Sequence, residues 1–141
     1  MVQTIACVAL VVPTYDQAIA YYTQVLGFEL IEDTPLAKGQ RWVLVAPPGA
    51  RETRILLAQA KGDAQTQRIG DQTGGRVFLF LNTDDFWRDY HAYVARGVQF
   101  LETPREESYA TVAVFQDTFG NRWDLLQPRV PATSQGSEAA P

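Results

Sequence analysis

An internal repeat narrows what this chain can become more than anything else in it. Leu10, Val12, Thr14 and Asp16 correspond to Leu79, Leu81, Thr83 and Asp85, each pair 69 positions apart, and Gly27 corresponds to Gly97 at 70. An apolar strand, a polar helix start and a glycine stop thus recur in the same order. Each of these signals is common in any α/β chain, so the repeat rests on their order as much as on the identities. Two copies of one supersecondary unit, each too small to bury its apolar surface alone, are the natural reading.

The first copy opens with Ile5-Ala6-Cys7-Val8-Ala9-Leu10-Val11-Val12, continuously apolar, as expected of a strand covered on both faces. Thr14-Tyr15-Asp16-Gln17 has the form of a capping box, followed by Ile19, Tyr22 and Leu26 at helical spacing and by Gly27. Three strands are expected next, at Phe28 to Glu32, Arg41 to Ala46 and Thr53 to Gln59, parted by Pro35 with Gly39 and by Pro47-Pro48-Gly49. Residues 61–75 are polar, with no apolar period, and suit a mobile linker. The second copy then reads as a strand at Arg76 to Asn82 and a helix at Thr83 to Arg96 with Phe86, Tyr90, Tyr93 and Val94 on its apolar side. Strands at Val98 to Glu102, Thr111 to Gln116 and Asn121 to Gln127 complete it. Each copy is a βαβββ unit: module 1 spans 4–60, module 2 spans 76–128, and both belong to one domain, 1–128. The tail, 129–141, has too little apolar content to offset the entropy of ordering and is expected to be disordered.

With 141 residues, a single domain buries roughly two thirds of the surface its unfolded chain exposes, enough for a core without staples. The formal charge of −4 and scattered Lys and Arg leave no basic footprint for nucleic acid. Cys7 is the only cysteine, so no internal disulfide forms, and a reducing cytoplasm fits. The apolar stretch from Ile5 is too short to span a bilayer and lacks a basic segment before it, so no membrane association is expected.

Three stretches together resemble the vicinal oxygen chelate superfamily of glyoxalases, extradiol dioxygenases and bleomycin-resistance-type binding proteins. They are Val8 to Phe28, with Tyr21-Tyr22 and Leu26-Gly27-Phe28; Gly74 to Gly97; and Phe115 to Leu125, with Phe119-Gly120-Asn121 at its centre. The resemblance covers about residues 4 to 128 and implies an α+β fold, two βαβββ modules forming an open β-barrel-like cavity, and a homodimer. In that arrangement alternate strand residues face the cavity. The expected set is Ile5, Cys7, Ala9 and Val11 in the first strand, Phe78, Phe80 and Asn82 in the strand from Arg76, and Arg122, Asp124 and Leu126 in the last.

Metal-using relatives place one ligand on the first strand of each half and one on the last. Laid on this chain, the resemblance puts those positions at Cys7, Leu56, Phe78 and Asp124. Leu56 and Phe78 offer no donor atom, so no metal and no other cofactor is expected. His91 is the only histidine and has no partner for a nucleophilic triad, and Gly74-Gly75 is a turn signal rather than a phosphate cradle.

Asp124 is the one titratable residue that stands out, because a carboxylate on a buried strand face is costly unless paired. Arg54, Arg76 and Arg122 are its candidate partners, and a structural ion pair and a ligand-binding carboxylate remain equally open. Phe78, Phe80, Tyr109 and Phe115 are candidates to line an aromatic cleft, with Asn82 as a polar anchor. The candidate ligand-binding set is therefore Cys7, Arg54, Leu56, Phe78, Phe80, Asn82, Tyr109, Phe115, Arg122 and Asp124, and only Asp124 is a catalytic candidate. Trp42, Trp87 and Trp123 read as packing or subunit-contact residues, and Glu106-Glu107 as a solvated loop. The leading functional reading is a metal-independent protein that binds a partly aromatic small molecule. The alternatives are a glyoxalase-like lyase, isomerase or dioxygenase, and an interaction domain with no small ligand.

Overall fold

Strand β1 begins at Cys7 and ends at Val12, two residues later than the apolar run from Ile5 suggests. The structure, a computed structural model, describes residues 1–129. The expected disordered tail lies, beyond Arg129, outside the described residues. The fold is α+β and contains two βαβββ modules. The chain forms two compact units, one of Met1–Arg76 with Asp117–Asn121 and a second of Val77–Gln116 with the described residues from Arg122 onward.

In the first unit, β1 is followed by helix α1 (Tyr15–Ala20) and a π-helical turn (Tyr21–Val25), then by β2 (Glu29–Pro35), β3 (Arg41–Ala46), β4 (Arg54–Gln59) and a short helix, α2 (Gly62–Thr66). The sheet order is β1-β4-β3-β2, with β1 parallel to β4 and the other pairs antiparallel. The capping box forms: Thr14 Oγ1 accepts from the Gln17 N–H at 3.2 Å and donates to Gln17 Oε1 at 3.0 Å. Gly27 then supplies the positive φ, 76°, that lets the chain leave the helix. β2 runs through Pro35 instead of stopping before it, because a proline on an edge strand removes no ladder bond. Leu10, Val12, Ala18, Tyr22, Val43 and Val45 have no exposed surface and form the core between helix and sheet.

The second unit repeats the plan with β5 (Leu79–Asn82), α3 (Phe86–Ala95), β6 (Gln99–Phe100), β7 (Arg105–Glu106), β8 (Ala110–Gln116) and β9 (Arg122–Pro128). The order is β5-β9-β8-β6, and β7 also pairs with β8. β6 and β7 are thus one broken edge strand, meeting β8 at Phe115 and Gln116 and again at Thr111 and Val112. The helix starts two residues later than the repeat implies. Thr83 is the counterpart of Thr14, yet the N-cap is Asp85, whose Oδ1 accepts from the Arg88 N–H at 3.1 Å. Trp123 stacks on Phe115 at 5.8 Å with Tyr93 edge-on to Phe115, giving this unit its aromatic core. Trp42 and Trp87, by contrast, are well exposed.

Residues 61–75 are more structured than the expected mobile linker. Besides α2, the side chain of Gln72 accepts from the Val11 N–H at 2.7 Å and donates to the Ala9 carbonyl at 3.2 Å, satisfying the free edge of β1. Gly70, at φ 75°, packs so closely that a Cβ there would meet the Phe119 carbonyl oxygen at 2.1 Å. Backbone and amide bonds hold this segment, which is why it shows no apolar period. Among the described residues, no helix is long and apolar enough to cross a membrane.

The tightest polar cluster in the first unit is the carboxylate of Asp117, which is 2% exposed. It accepts from Tyr22 Oη at 2.5 Å, from the Phe119 and Asn121 N–H groups at 3.0 Å each, and from Asn121 Nδ2. Burial, and then the charge of Asp117, hold the Tyr22 phenol protonated far above its ordinary range. Replacing Asp117 by Ala strands all four donors and is expected to cost about 3–5 kcal/mol. Tyr22→Phe removes one charge-assisted bond and should cost about 1.5–3 kcal/mol. Urea midpoints at unchanged slope measure both, and a smaller loss for Asp117→Ala than for Tyr22→Phe would contradict the assignment.

Candidate functional site

Period-2 geometry gives each sheet one helix-facing side and one side turned away from its helix. In the first unit the buried series is Leu10 and Val12 of β1, Ile55 and Leu57 of β4, and Val43 and Val45 of β3. The other series comprises Cys7, Ala9 and Val11, in register with Arg54, Leu56 and Ala58. Leu44 extends this face beside Leu56. Cys7, Arg54 and Leu56 therefore lie together on one strand face, as expected. Cys7 is a free, half-buried thiol. Arg54 is unusual there: its Nε and Nη1 are shielded from solvent without a hydrogen-bond partner, and only Nη2 reaches a carbonyl, that of Arg51 at 3.4 Å.

In the second unit the helix-facing series is Leu81, Phe115, Trp123 and Leu125. The opposite face carries Phe80 and Asn82 of β5, Arg122, Asp124 and Leu126 of β9, and Val112, Val114 and Gln116 of β8. Asp124 sits between Phe80 on one neighbour and Val114 on the other. Phe78 lies just ahead of β5 and continues the ladder through its N–H to the Arg122 carbonyl at 2.8 Å. Phe80, Asn82, Arg122 and Asp124 thus share a face, with Phe80 64% exposed on it.

Phe115 corrects the expected aromatic cleft. It has no exposed surface and lies on the helix side, enclosed by Tyr93, Phe100 and Trp123, because its register partner is Trp123 and not Asp124. Tyr109 precedes β8 in an exposed position.

Of the candidate partners for Asp124, Arg122 shares its strand and face but makes no ion pair with it among the described residues. Asp124 Oδ1 is out of solvent contact and has no hydrogen-bond partner. Burial raises the pKa of this carboxyl, the charge of Arg105 opposes the rise, and the charge of Glu102 adds to it. Arg105, unnoticed in the sequence, is a second cation near this face, beside Arg122, and it is already committed. Its Nε and Nη2 bond to the two oxygens of Glu102 at 3.1 and 3.2 Å, and Nη1 to Glu107 at 2.6 Å. Glu102 also accepts from the Val114 N–H at 2.9 Å, taking the place of a backbone carbonyl where the edge strand breaks. The only sequence signal for this group was the carboxylate, guanidinium, carboxylate series at 102, 105 and 107. Glu106 and Glu107 are likewise paired rather than simply solvated, Glu106 with Arg129 and Thr111.

The positions that would hold a divalent metal do not fit one. Leu56 and Phe78 supply no donor, and no three His, Cys, Asp or Glu side chains converge among the described residues. His91 is exposed on α3 against the rings of Trp87 and Tyr90. Hollows among the described residues include two that lie elsewhere. One, of about 480 Å³, is lined by Thr111, Gln127, Pro128 and Arg129. The other, of about 380 Å³, lies over the π-helical turn and is lined by Tyr21, Gln24, Phe119 and their neighbours. None of the ten candidate residues lines either.

Comparison with known proteins agrees with the repeated unit. The family model described as Glyoxalase/Bleomycin resistance protein/Dioxygenase superfamily matches residues 4–125. An uncharacterized protein of Shewanella frigidimarina (strain NCIMB 400) is 55% identical over 128 residues, covering 90% of this chain and 95% of its own. Among solved structures, TnmS3, an antibiotic binding protein from Streptomyces sp. CB03234, aligns with a TM-score of 0.73 at 28% identity over 91% of this chain and 98% of its own. A superfamily member from Sphaerobacter thermophilus DSM 20745 aligns with a TM-score of 0.70 at 26% identity, covering 89% of this chain and 98% of its own. A profile match over nearly the whole described chain, on two βαβββ modules, places the protein in the Glyoxalase/Bleomycin resistance protein/Dioxygenase superfamily.

Proposed function

We propose that this protein is a metal-independent small-molecule-binding member of its superfamily that takes a partly aromatic ligand. The observation that carries the reading is the donor set. Where the superfamily's metal users need imidazole or carboxylate, this chain has Leu56 and Phe78. What remains on the strand faces is a binding composition: apolar Leu56, Val114 and Leu126, the exposed ring of Phe80, and a few polar groups, Asn82, Arg54 and Asp124. TnmS3, an antibiotic binding protein, supports the same class.

A homodimer is part of the proposal. Each sheet keeps an edge strand with no further strand beside it, β2 in the first and β6 in the second, and Ile5 and Phe80 expose two thirds of their surface, an arrangement that pairing between copies would relieve. Multi-angle light scattering should give a mass near twice 15.7 kDa, and a monomer at micromolar concentration would sink this part.

A second reading is favoured by one observation, the raised pKa of Asp124: a carboxyl that keeps its proton to higher pH can serve as an acid or base in a lyase or isomerase reaction.

The two readings separate by experiment. The purified protein should carry far less than one divalent metal per chain and show no loss of thermal stability on chelation. Planar naphthalene derivatives should raise its Tm, as linkage requires of a ligand that binds only the folded chain. A metal content near one per chain, lost together with activity on chelation, overturns the proposal.

Asp124 also makes a prediction about pH. Its carboxyl holds a proton to higher pH when folded than when unfolded, so between the ordinary Asp value and the raised one the folded state binds more protons. Stability therefore falls as pH rises through that window. Asp124→Asn should flatten this slope and be more stable than the parent above the window, as urea midpoints between about pH 4 and 8 will show. A turnover that survives Asp124→Asn unchanged removes Asp124 from any catalytic role.

A further inference from the structure

The hollow of about 380 Å³ over the π-helical turn lies wholly within the first unit and shares no lining residue with either strand face. One wall is helical. Gln17, Ala20, Tyr21 and Gln24 stand at the spacing of one helix face, and the widened π-helical turn brings Val25 to the same wall. The other wall is the turn 117–121, through Thr118 and Phe119. That turn is held firmly. Asp117 accepts from its Phe119 and Asn121 N–H groups, and Gly70 backs it so closely that a Cβ would strike the Phe119 carbonyl. The hollow is therefore formed before any ligand arrives, and its volume falls within the range of small-molecule sites, about 300–1,000 Å³. π-Helical turns inside a helix are rare and occur frequently at functional sites.

The lining selects a chemistry. No charged side chain lines the hollow, and Ala20, Val25 and the Phe119 ring are its apolar part, with the Tyr21 ring edge-on to Phe119 at 6.0 Å. Its polar groups are mostly donors. Tyr21 stays protonated: burial raises its pKa, the charge of Asp117 adds to the rise, and the Thr118 N–H beside its oxygen opposes it. Gln17 Oε1 accepts from Thr14 Oγ1, so that side chain offers its amide N–H groups, and Gln24 adds a second amide. An anion meets no cation among these residues and lies in the field of Asp117, which reaches the Tyr21 hydroxyl. A purely apolar molecule takes water from the donors and gives nothing back.

We propose that this hollow is a second small-molecule site, independent of the strand faces, that takes an uncharged planar compound carrying a carbonyl oxygen, with Tyr21 as the donor to that oxygen. The neighbouring Tyr22 does not serve, because its hydroxyl is engaged by Asp117. Binding makes and breaks no covalent bond.

The test uses the full chain at neutral pH and three naphthalenes substituted at the same ring position: naphthamide, methylnaphthalene and naphthoate. Titrations followed by backbone amide NMR shifts give the affinity at each place on the chain separately. Naphthamide should shift the amides of residues 17–25 and 118–119 and bind there about fivefold tighter than methylnaphthalene, with naphthoate weakest. Tyr21→Phe should bring naphthamide within about twofold of methylnaphthalene. Ala20→Phe fills the hollow and should abolish the shifts; Gln24→Trp, at an exposed position, serves if that variant does not fold. Phe80→Ala, on a strand face, should leave them unchanged. Shifts confined to strand-face residues such as Leu56 and Phe80 overturn the second site and leave strand-face binding standing. Absence of any shift at 17–25, equal binding of all three probes there, or an order unmoved by Tyr21→Phe likewise overturns the proposal.

Discussion

The carboxylate of Asp117, fully bonded, and that of Asp124, half-buried with one oxygen out of solvent contact, mark the two extremes of this chain. Asp117 is sealed from water yet accepts bonds from a phenol, two backbone amides and a side-chain amide, so its charge is fully answered within the first unit. Those bonds shape the turn 117–121 and fasten it to the π-helical turn through Tyr22, with Tyr21 and Phe119 packed around it. The close approach of Gly70 to the Phe119 carbonyl depends on the same turn. A buried ion stabilises only when its geometry is complete, and here it is. The turn also sets the registration of the strands it joins, β8 and β9, since Asp117 N–H donates to the Asn121 carbonyl at its base.

That registration explains what was and was not legible in the sequence. Hydrophobic alternation within one strand is a local property, so the division of β1, β5 and β9 into helix-facing and outward series could be read directly: Leu10 and Val12, Leu81, and Trp123 and Leu125 are all buried. The first helix cap, the glycine stops and the order of the two modules were equally local. Phe115 was misplaced because its face depends on pairing with β9, where it meets Trp123, and pairing is fixed by a turn rather than by composition. Segment 61–75 escaped for a related reason: amide side chains and backbone contacts order it, and neither leaves a periodic mark.

The strand faces that carry the candidate residues were legible, and their electrostatics were not. Cys7, Arg54 and Leu56 share one face, and Phe80, Asn82, Arg122 and Asp124 share another, as alternation required. Arg105 was missed because the break between β6 and β7 brings it to β8 opposite Val112, and nothing in the sequence of Glu102 to Glu107 announces where an edge strand will break. Arg105 was not among the candidate partners of Asp124 for the same reason. Basic residues near in strand parity were weighed, whereas Arg105 comes from the edge and is already paired with Glu102 and Glu107.

The same geometry explains how a fold known for metal chemistry can carry a chain without the donors for it. Residues on the outward faces contribute little to the helix-side cores, where Leu10, Val12, Tyr22, Phe86, Phe115 and Trp123 account for the packing. Exchanging an imidazole or carboxylate for Leu56 or Phe78 therefore alters chemistry with little consequence for folding, because each such side chain projects away from the surface that holds helix to sheet. Asp124 is the exception that bears out the rule. A carboxylate whose Oδ1 has no donor lowers stability, and the core does not require it.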